Sequence, residues 1–203
     1  MKGLARVMDH TVAYRLWQAP FAAAKFAPVA AHNDLRAARR VLDVGCGPGT
    51  NTQHFTHATY LGLDINPAYV AYAQRRWAGG SHRFEVADVT SYAARPGERF
   101  DFMLLNSFLH HVATPDVRRI LAHLAALLTP DGHVHVLDLV LPPGRGAARV
   151  LARWDRGDYP RPLDEWRALF TERFEPVVFE PYPLKALRVT LWHMLYFKGR
   201  ARA

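Results

Sequence analysis

The run Val41-Leu42-Asp43-Val44-Gly45-Cys46-Gly47-Pro48-Gly49-Thr50 carries the densest chemical signal in the chain. Apolar residues that end in closely spaced glycines read as a buried strand entering a turn, where a ligand can approach main chain unobstructed by side chains. The spacing is Gly-x-Gly-x-Gly, with Asp43 two residues before the first glycine. A dinucleotide-binding loop instead requires Gly-x-Gly-x-x-Gly, which sets a helix N-terminus under a pyrophosphate, and Pro48 departs further from that pattern. Asp64 closes the next apolar run, Tyr60–Ile65. A carboxylate at the end of a second strand can accept hydrogen bonds from ribose hydroxyls and disfavours a 2′-phosphate. Asp88 ends a third run in Glu85-Val86-Ala87-Asp88-Val89. The plain alternatives are a tight turn without a ligand for the glycines and a helix N-terminal charge for Asp64. Three acids at the ends of three successive strands, all facing one crevice, favour a binding site.

A second group follows the fourth apolar run, in Asn106-Ser107-Phe108-Leu109-His110-His111. An imidazole exchanges its proton near neutral pH, so His111 or His110 could act as a general base toward a hydroxyl. Neither has a carboxylate partner identifiable from the sequence, and His111 is the preferred candidate. With 11 histidines in the chain, an adjacent pair that only braces a loop is the competing reading. Cys46 is the only cysteine, which excludes an internal disulfide and a multi-thiolate metal centre, and no metal is expected. Arg156 and Arg161, in a polar turn-forming stretch, could clamp a carboxylate or phosphate; solvated or ion-paired arginines are the plainer alternative.

The elements that would hold these residues alternate. Val41–Val44, Tyr60–Ile65, His82–Val89, Phe100–Asn106 and His133–Val140 read as strands. Asn66 and Pro67 occupy the N-cap and first position of a helix that should stop at Gly79. Thr114-Pro115-Asp116 opens an amphipathic helix that ends in the turn Thr129-Pro130-Asp131-Gly132. Strands alternating with helices predict a doubly wound α/β fold with a mostly parallel sheet. Leu163–Phe174 reads as a further helix. Val177–Glu180 and Arg188–Lys198 read as strands parted by the turn Pro181-Tyr182-Pro183, so they must pair antiparallel. Residues 4–38 read as a helical N-terminal cap broken near Pro20 and Pro28. The expected organisation is a single domain over 1–203: cap 1–39, cofactor-binding core 40–140, and acceptor-side insert with terminal hairpin 141–203.

Half of the 203 residues are apolar, enough for a sizeable core. No run approaches the roughly 20 apolar residues of a membrane-spanning helix, and Met1–His10 does not read as a signal peptide. A cytoplasmic location is expected. The formal charge of +8 is spread among Ala, Leu and aromatics rather than gathered in a basic run, which suits solubility better than a specific nucleic-acid partner. Nothing sets the oligomeric state.

The glycine run, the Asp64 strand end, Ala87-Asp88-Val89, Phe100–Val112 and Leu127–Asp131 together resemble class I S-adenosylmethionine-dependent methyltransferases, in particular the small-molecule, UbiE-like group. The resemblance covers about residues 40–140 and implies a Rossmann-like seven-stranded sheet ending in an antiparallel hairpin. It implies that Gly45, Cys46, Gly47 and Gly49 hold the methionine part of S-adenosylmethionine, and that Asp43 organises the loop and the cofactor ammonium. Asp64 would hold the ribose, Ile65 would pack on the adenosine, Asp88 and Val89 would meet the adenine, and main chain near Asn106 would touch the methionyl end. Base-amino methyltransferases carry a polar-Pro-Pro-aromatic loop where this chain has Asn106-Ser107-Phe108-Leu109, so the expected acceptor is a small organic molecule, apolar or aromatic, methylated at oxygen or carbon. An RNA methyltransferase, an NAD-dependent oxidoreductase and an inactive cofactor-binding partner subunit are the alternatives.

Overall fold

Apolar runs closed by turns become the strands, and their continuity has a structural cause: both faces of the sheet are covered. In β1 (Arg40–Val44) every residue after Arg40 is buried. Leu42 and Val44 point into a core shared with helix α3 (Thr114–Leu127) and helix α4 (Leu163–Thr171), through Ile120, Leu124, Trp166 and Phe170. Val41 points into the opposite core, with Phe26 and Val29 of helix α1 (residues 21–32) and Val70 and Ala73 of helix α2 (Pro67–Trp77). A strand buried on both sides has no polar face, so it shows no alternation. The computed structural model describes residues 21–144, 149, 152, 158–186 and 189–202. Expectations that fall on residues 1–20, on Arg156 and on 187–188 lie outside the described residues.

The remaining strands are β2 (Thr59–Asp64), β3 (His82–Val86), β4 (Phe100–Asn106), β5 (Leu128–Val140), β6 (Phe174–Ala186) and β7 (Val189–Ala201). They form one sheet in the order β3-β2-β1-β4-β5-β7-β6. The pairs from β3 through β5 are parallel, while β7 runs antiparallel to both β5 and β6. This is the Rossmann-like sheet with a terminal hairpin. Strand order reverses between β1 and β4, where open α/β sheets form their ligand crevice. Among the described residues no helix is long and apolar enough to cross a membrane.

Several boundaries differ from the sequence reading. Strand β3 stops at Val86, which leaves Asp88 in the following turn, where its Oδ1 accepts from Thr90 N and Thr90 Oγ1. Helix α2 ends at Trp77, two residues before Gly79, with Ala78 as its cap. Helix α4 ends at Thr171, and Phe174 already belongs to β6. Thr129-Pro130-Asp131-Gly132 is a bulge within β5: Phe100 pairs with Leu128 and Phe102 with His133, so four residues oppose Asp101 alone. Helix α1 continues through Pro28, anchored by buried Phe26 and Val29 and by Asn33, whose side chain donates to the Val29 carbonyl at 2.7 Å.

The largest correction concerns Pro181-Tyr182-Pro183. It is not a turn; β6 runs through it, with Pro181 opposite Leu195 and Pro183 opposite His193. Strand β6 is the sheet's outer edge, the one place where a strand tolerates residues that lack an N–H. Pro176, opposite Gly199, precedes a register shift at Val177. That extra residue puts all three prolines opposite odd-numbered residues of β7, hence on one phase of the ladder.

Candidate functional site

Glycines are required after β1 because the backbone turns left-handed there, with φ of 69° at Gly45 and 54° at Gly47. A Cβ on Gly45 would lie 2.8 Å from the Phe108 ring, whereas one on Gly47 would enter open space. The turn is fastened to the end of β2. Gly45 N and Cys46 N both donate to the Leu63 carbonyl, at 2.8 and 3.0 Å, and Gly47 N donates to Asp64 Oδ2 at 2.8 Å. Asp64 Oδ1 accepts from Asn66 N at 2.8 Å. A carboxylate offers about four acceptor sites, so these two bonds leave Asp64 able to accept more.

The turn forms one side of a cavity of about 580 Å³ at the carboxyl ends of β1, β2 and β4. Its wall includes Gly45, Cys46, Gly47, Asp64, Ile65, Asp88, Val89, Asn106 and His111. Gly49 and Asp43 are not part of it. Gly49 packs against Trp77 and Ala73, where it lets helix α2 approach the turn. Asp43 lies fully buried behind the wall, where its Oδ2 accepts from the Tyr60 hydroxyl at 2.5 Å and from Asn51 Nδ2 at 3.1 Å. Burial pushes the Asp43 carboxyl up to about 7 against those two bonds, and its Oδ1 has no hydrogen-bond partner among the described residues. Cys46 is likewise held as a thiol, by burial and by the nearby Asp43 and Asp64 carboxylates, so it is no nucleophile. Ile65, 72% exposed, is an apolar surface beside Asp64.

The opposite side of the cavity comes from outside this core. Helix α1 contributes Ala22, Ala23, Lys25 and Phe26, and the segment after β4 contributes Ser107 and Phe108. Lys25 Nζ donates to Ser107 Oγ at 3.0 Å. Ser107 has a φ of 56°, unusual outside glycine, and Asn106 Nδ2 donates to Asn51 Oδ1 at 3.1 Å. Helix α1 is tied to the terminal hairpin. The Tyr182 hydroxyl donates to the Lys25 carbonyl at 2.8 Å, and Asn33 Nδ2 donates to the Tyr196 hydroxyl at 2.9 Å.

The two histidines separate. His111 is exposed on the cavity wall. His110 is buried and absent from that wall, so a direct role in proton transfer does not fit its place. Its Nδ1 lies 2.6 Å from Asp138 Oδ1, and the two imidazole rings stand 4.1 Å apart. Asp138 also accepts from Leu109 N and Leu139 N. The sequence reading missed Asp138, although the rule that singles out Asp43 and Asp64 applies to it: an acid near the carboxyl end of a parallel strand. Arg161 is ion-paired, with Glu165 Oε1 3.2 Å from its Nε, rather than solvated or turned to the cavity. It is 2% exposed and donates to the carbonyls of Leu109, Val112 and Tyr159. Among the described residues no cluster of His, Cys, Asp and Glu is arranged to hold a metal.

Residues 41–132, which hold the glycine turn, Asp64, Asp88 and both histidines, match a family described as a methyltransferase domain. Over this segment, just under half of the chain, the protein is similar to methyltransferase domains. An uncharacterized methyltransferase of Mycobacterium tuberculosis is 34% identical over 116 residues, which are 56% of this chain and 57% of that protein. A trans-aconitate 2-methyltransferase of Methylobacterium nodulans is 38% identical over 102 residues, 48% of this chain and 37% of that protein. The chain therefore spans between about a third and little more than half of the length of these curated relatives. Among solved structures, a 1,6-didemethyltoxoflavin-N1-methyltransferase of Burkholderia thailandensis, with that compound and S-adenosylhomocysteine bound, has a TM-score of 0.72 and 25% identity, covering 98% of this chain and 87% of its own. The UbiE-like subgroup is not singled out by these relatives.

The cofactor of such a domain is S-adenosylmethionine, and the residues present fit it. Open space over Gly47 leaves main chain accessible, Ile65 offers an apolar face beside a carboxylate, and Asp43 Oδ1 is a buried acceptor without a donor among the described residues.

Proposed function

We propose that this chain transfers the methyl group of S-adenosylmethionine to a small organic acceptor with an apolar or aromatic body, at oxygen or carbon. The observation that carries this reading is the cavity itself. One wall is the glycine turn with Asp64, Ile65, Asp88 and Val89; the other is Ala22, Ala23, Phe26, Phe108 and His111, with the Lys25–Ser107 hydrogen bond as its polar element. The first wall suits a nucleoside with an amino-acid tail, and the second suits a compact apolar partner. Two of the relatives are named for small acceptors, trans-aconitate and 1,6-didemethyltoxoflavin.

Bound in the cavity, the cofactor supplies an electrophilic methyl group on a sulfonium. Asp64 accepts from the ribose hydroxyls with the acceptor sites that Gly47 and Asn66 leave. Ile65 and Val89 pack on the adenine ring, and Asp88 accepts from its amino group. Gly45, Cys46 and Gly47 present main chain to the methionyl part, and Asn106 borders its end. Asp43 would contribute from behind the turn, its ionised form favouring a bound ammonium electrostatically. Phe26 and Phe108 exclude water and align the acceptor, the positional part of the rate enhancement. His111 takes the proton when the acceptor is a hydroxyl.

The test is a transfer screen with S-adenosylmethionine labelled in its methyl group against small phenols, carboxylic acids and heteroaromatics, with total tRNA as control. Label in a small acceptor supports the reading. Cofactor binding in calorimetry without transfer to any compound points to an inactive partner subunit, and label only in tRNA points to an RNA methyltransferase.

A further inference from the structure

The turn Leu109–His111 that carries His111 sinks Leu109 into the core and is held from two sides by buried charges. From β5, Asp138 takes Leu109 N on Oδ2 at 2.8 Å and the His110 ring on Oδ1 at 2.6 Å. From the segment that returns after the insert, Arg161 donates through Nη1 to the Leu109 carbonyl at 3.1 Å. Its Nη2 donates to the Val112 carbonyl at 2.6 Å and to Thr114 Oγ1 at 3.1 Å. The main chain of that segment joins in: Tyr159 N donates to the His110 carbonyl at 2.9 Å, and Leu141 N donates to the Arg161 carbonyl at 2.8 Å. The guanidinium is fixed in turn by Glu165 at 3.2 Å and by the Trp166 ring 4.9 Å away. Every backbone group from Leu109 to Val112 named here points at a clamp, while the His111 side chain alone faces the cavity.

We propose that Arg161, with Asp138 as its counterpart, is a positioning residue that fixes the orientation of His111 at the acceptor wall and ties it to the segment after β5. Loop residues have many rotamers and backbone states, and a proton acceptor must sit within hydrogen-bond reach of the group it serves. A fork of guanidinium donors meeting three carbonyls and a hydroxyl restricts that freedom in a way a single ammonium cannot, because lysine has no planar fork. The His110 ring, held by Asp138, lies 4.1 Å from the His111 ring and tilted 40° to it, and so borders the space the His111 imidazole occupies. The inference rests on the reading of His111 as an acceptor-side group, and its test is independent of turnover.

The experiment compares the full chain with Arg161→Lys, each saturated with S-adenosylhomocysteine, by NMR of histidine imidazoles selectively labelled with 13C. Wild type should give a ring-to-ring NOE between His110 and His111. Arg161→Lys should lose that NOE and move the His111 resonance, while S-adenosylhomocysteine affinity in calorimetry and the cooperativity of thermal unfolding stay unchanged. Should Arg161→Lys fail to fold, Thr114→Val removes one acceptor of the guanidinium without touching charge and should weaken the same NOE. Retention of the NOE in whichever variant folds overturns the proposal, as does loss of cofactor affinity in parallel with the NOE. If His111→Ala leaves methyl transfer intact, the reading of His111 fails separately, whatever the NOE reports.

Discussion

Asp64 and Asp43 differ by burial, and that difference sets what each can do. Asp64 stands on the cavity wall with acceptor sites to offer. Asp64→Ala should weaken S-adenosylmethionine binding by about 1.5–3 kcal/mol, the usual contribution of hydrogen bonds to a charged group, measured by titration calorimetry. Asp43 is fully buried, and its carboxyl is raised from the model-compound value of 3.8 to about 7. A raised folded-state value means that this group's contribution to stability is fully present below about pH 4 and is lost as pH rises toward 7. Binding a cofactor ammonium favours the ionised form. Cofactor affinity should therefore rise with pH through about 7, with proton release detectable in buffers of different ionisation enthalpy, and Asp43→Asn should flatten that dependence. The histidines give a contrast of the same kind. His111→Ala should lower turnover on a hydroxyl acceptor by roughly 100-fold with cofactor affinity unchanged. His110→Ala should instead destabilise the fold by about 1.5–3 kcal/mol, because it removes one of the three hydrogen bonds to the buried Asp138 side chain, as denaturant titration would register.

At the scale of elements, the parallel core was legible because its signals are local. An apolar run, a glycine turn, and Asn66-Pro67 at a helix start each act within a few residues, and the sheet through β5 follows from their alternation. Errors arose where a partner elsewhere overrides local preference. Pro181-Tyr182-Pro183 has the composition of a turn, but β7 pairs with it along its whole length. Pro28 sits in a helix because Phe26 and Val29 are held in the core on either side of it. Arg161 and Asp138 were invisible as a pair because both act on the turn between β4 and α3, more than twenty residues away from either in sequence, and Arg161 reaches β5 only by pairing with Val140. Helix α1 depends on a distant element in the same way, through the Tyr182 hydroxyl. Tyr182→Phe should cost about 1 kcal/mol in unfolding free energy, read as a lower denaturant midpoint with unchanged slope. Cofactor affinity should not change, since the Tyr182 hydroxyl bonds the acceptor-side helix and is absent from the cavity wall.

For the whole molecule, the charge of +8 gives long-range attraction to any polyanion, and on the reading proposed above none of it serves sequence-specific recognition. Binding to random RNA should be weak and should fall steeply between low and physiological salt, which fluorescence anisotropy would show; affinity that resists salt would mean specific contacts. The outline of the sheet carries a different consequence. A bare margin of hydrogen-bond donors and acceptors invites a second chain to extend the sheet, and so to fibres or swapped dimers. Here the margin along β6 lacks N–H groups at Pro176, Pro181 and Pro183, all on one phase of the ladder. An approaching strand would find carbonyls without the alternating N–H groups needed to register against them. Growth of the sheet is blocked at this end. The far margin, β3, is only five residues long and carries Arg83 and Glu85, so it offers little room for a stray strand. Seven strands is thus a terminus written into the chain, and restoring N–H groups with Pro181→Thr and Pro183→Thr should make the protein scatter light on concentration, where the natural sequence stays clear.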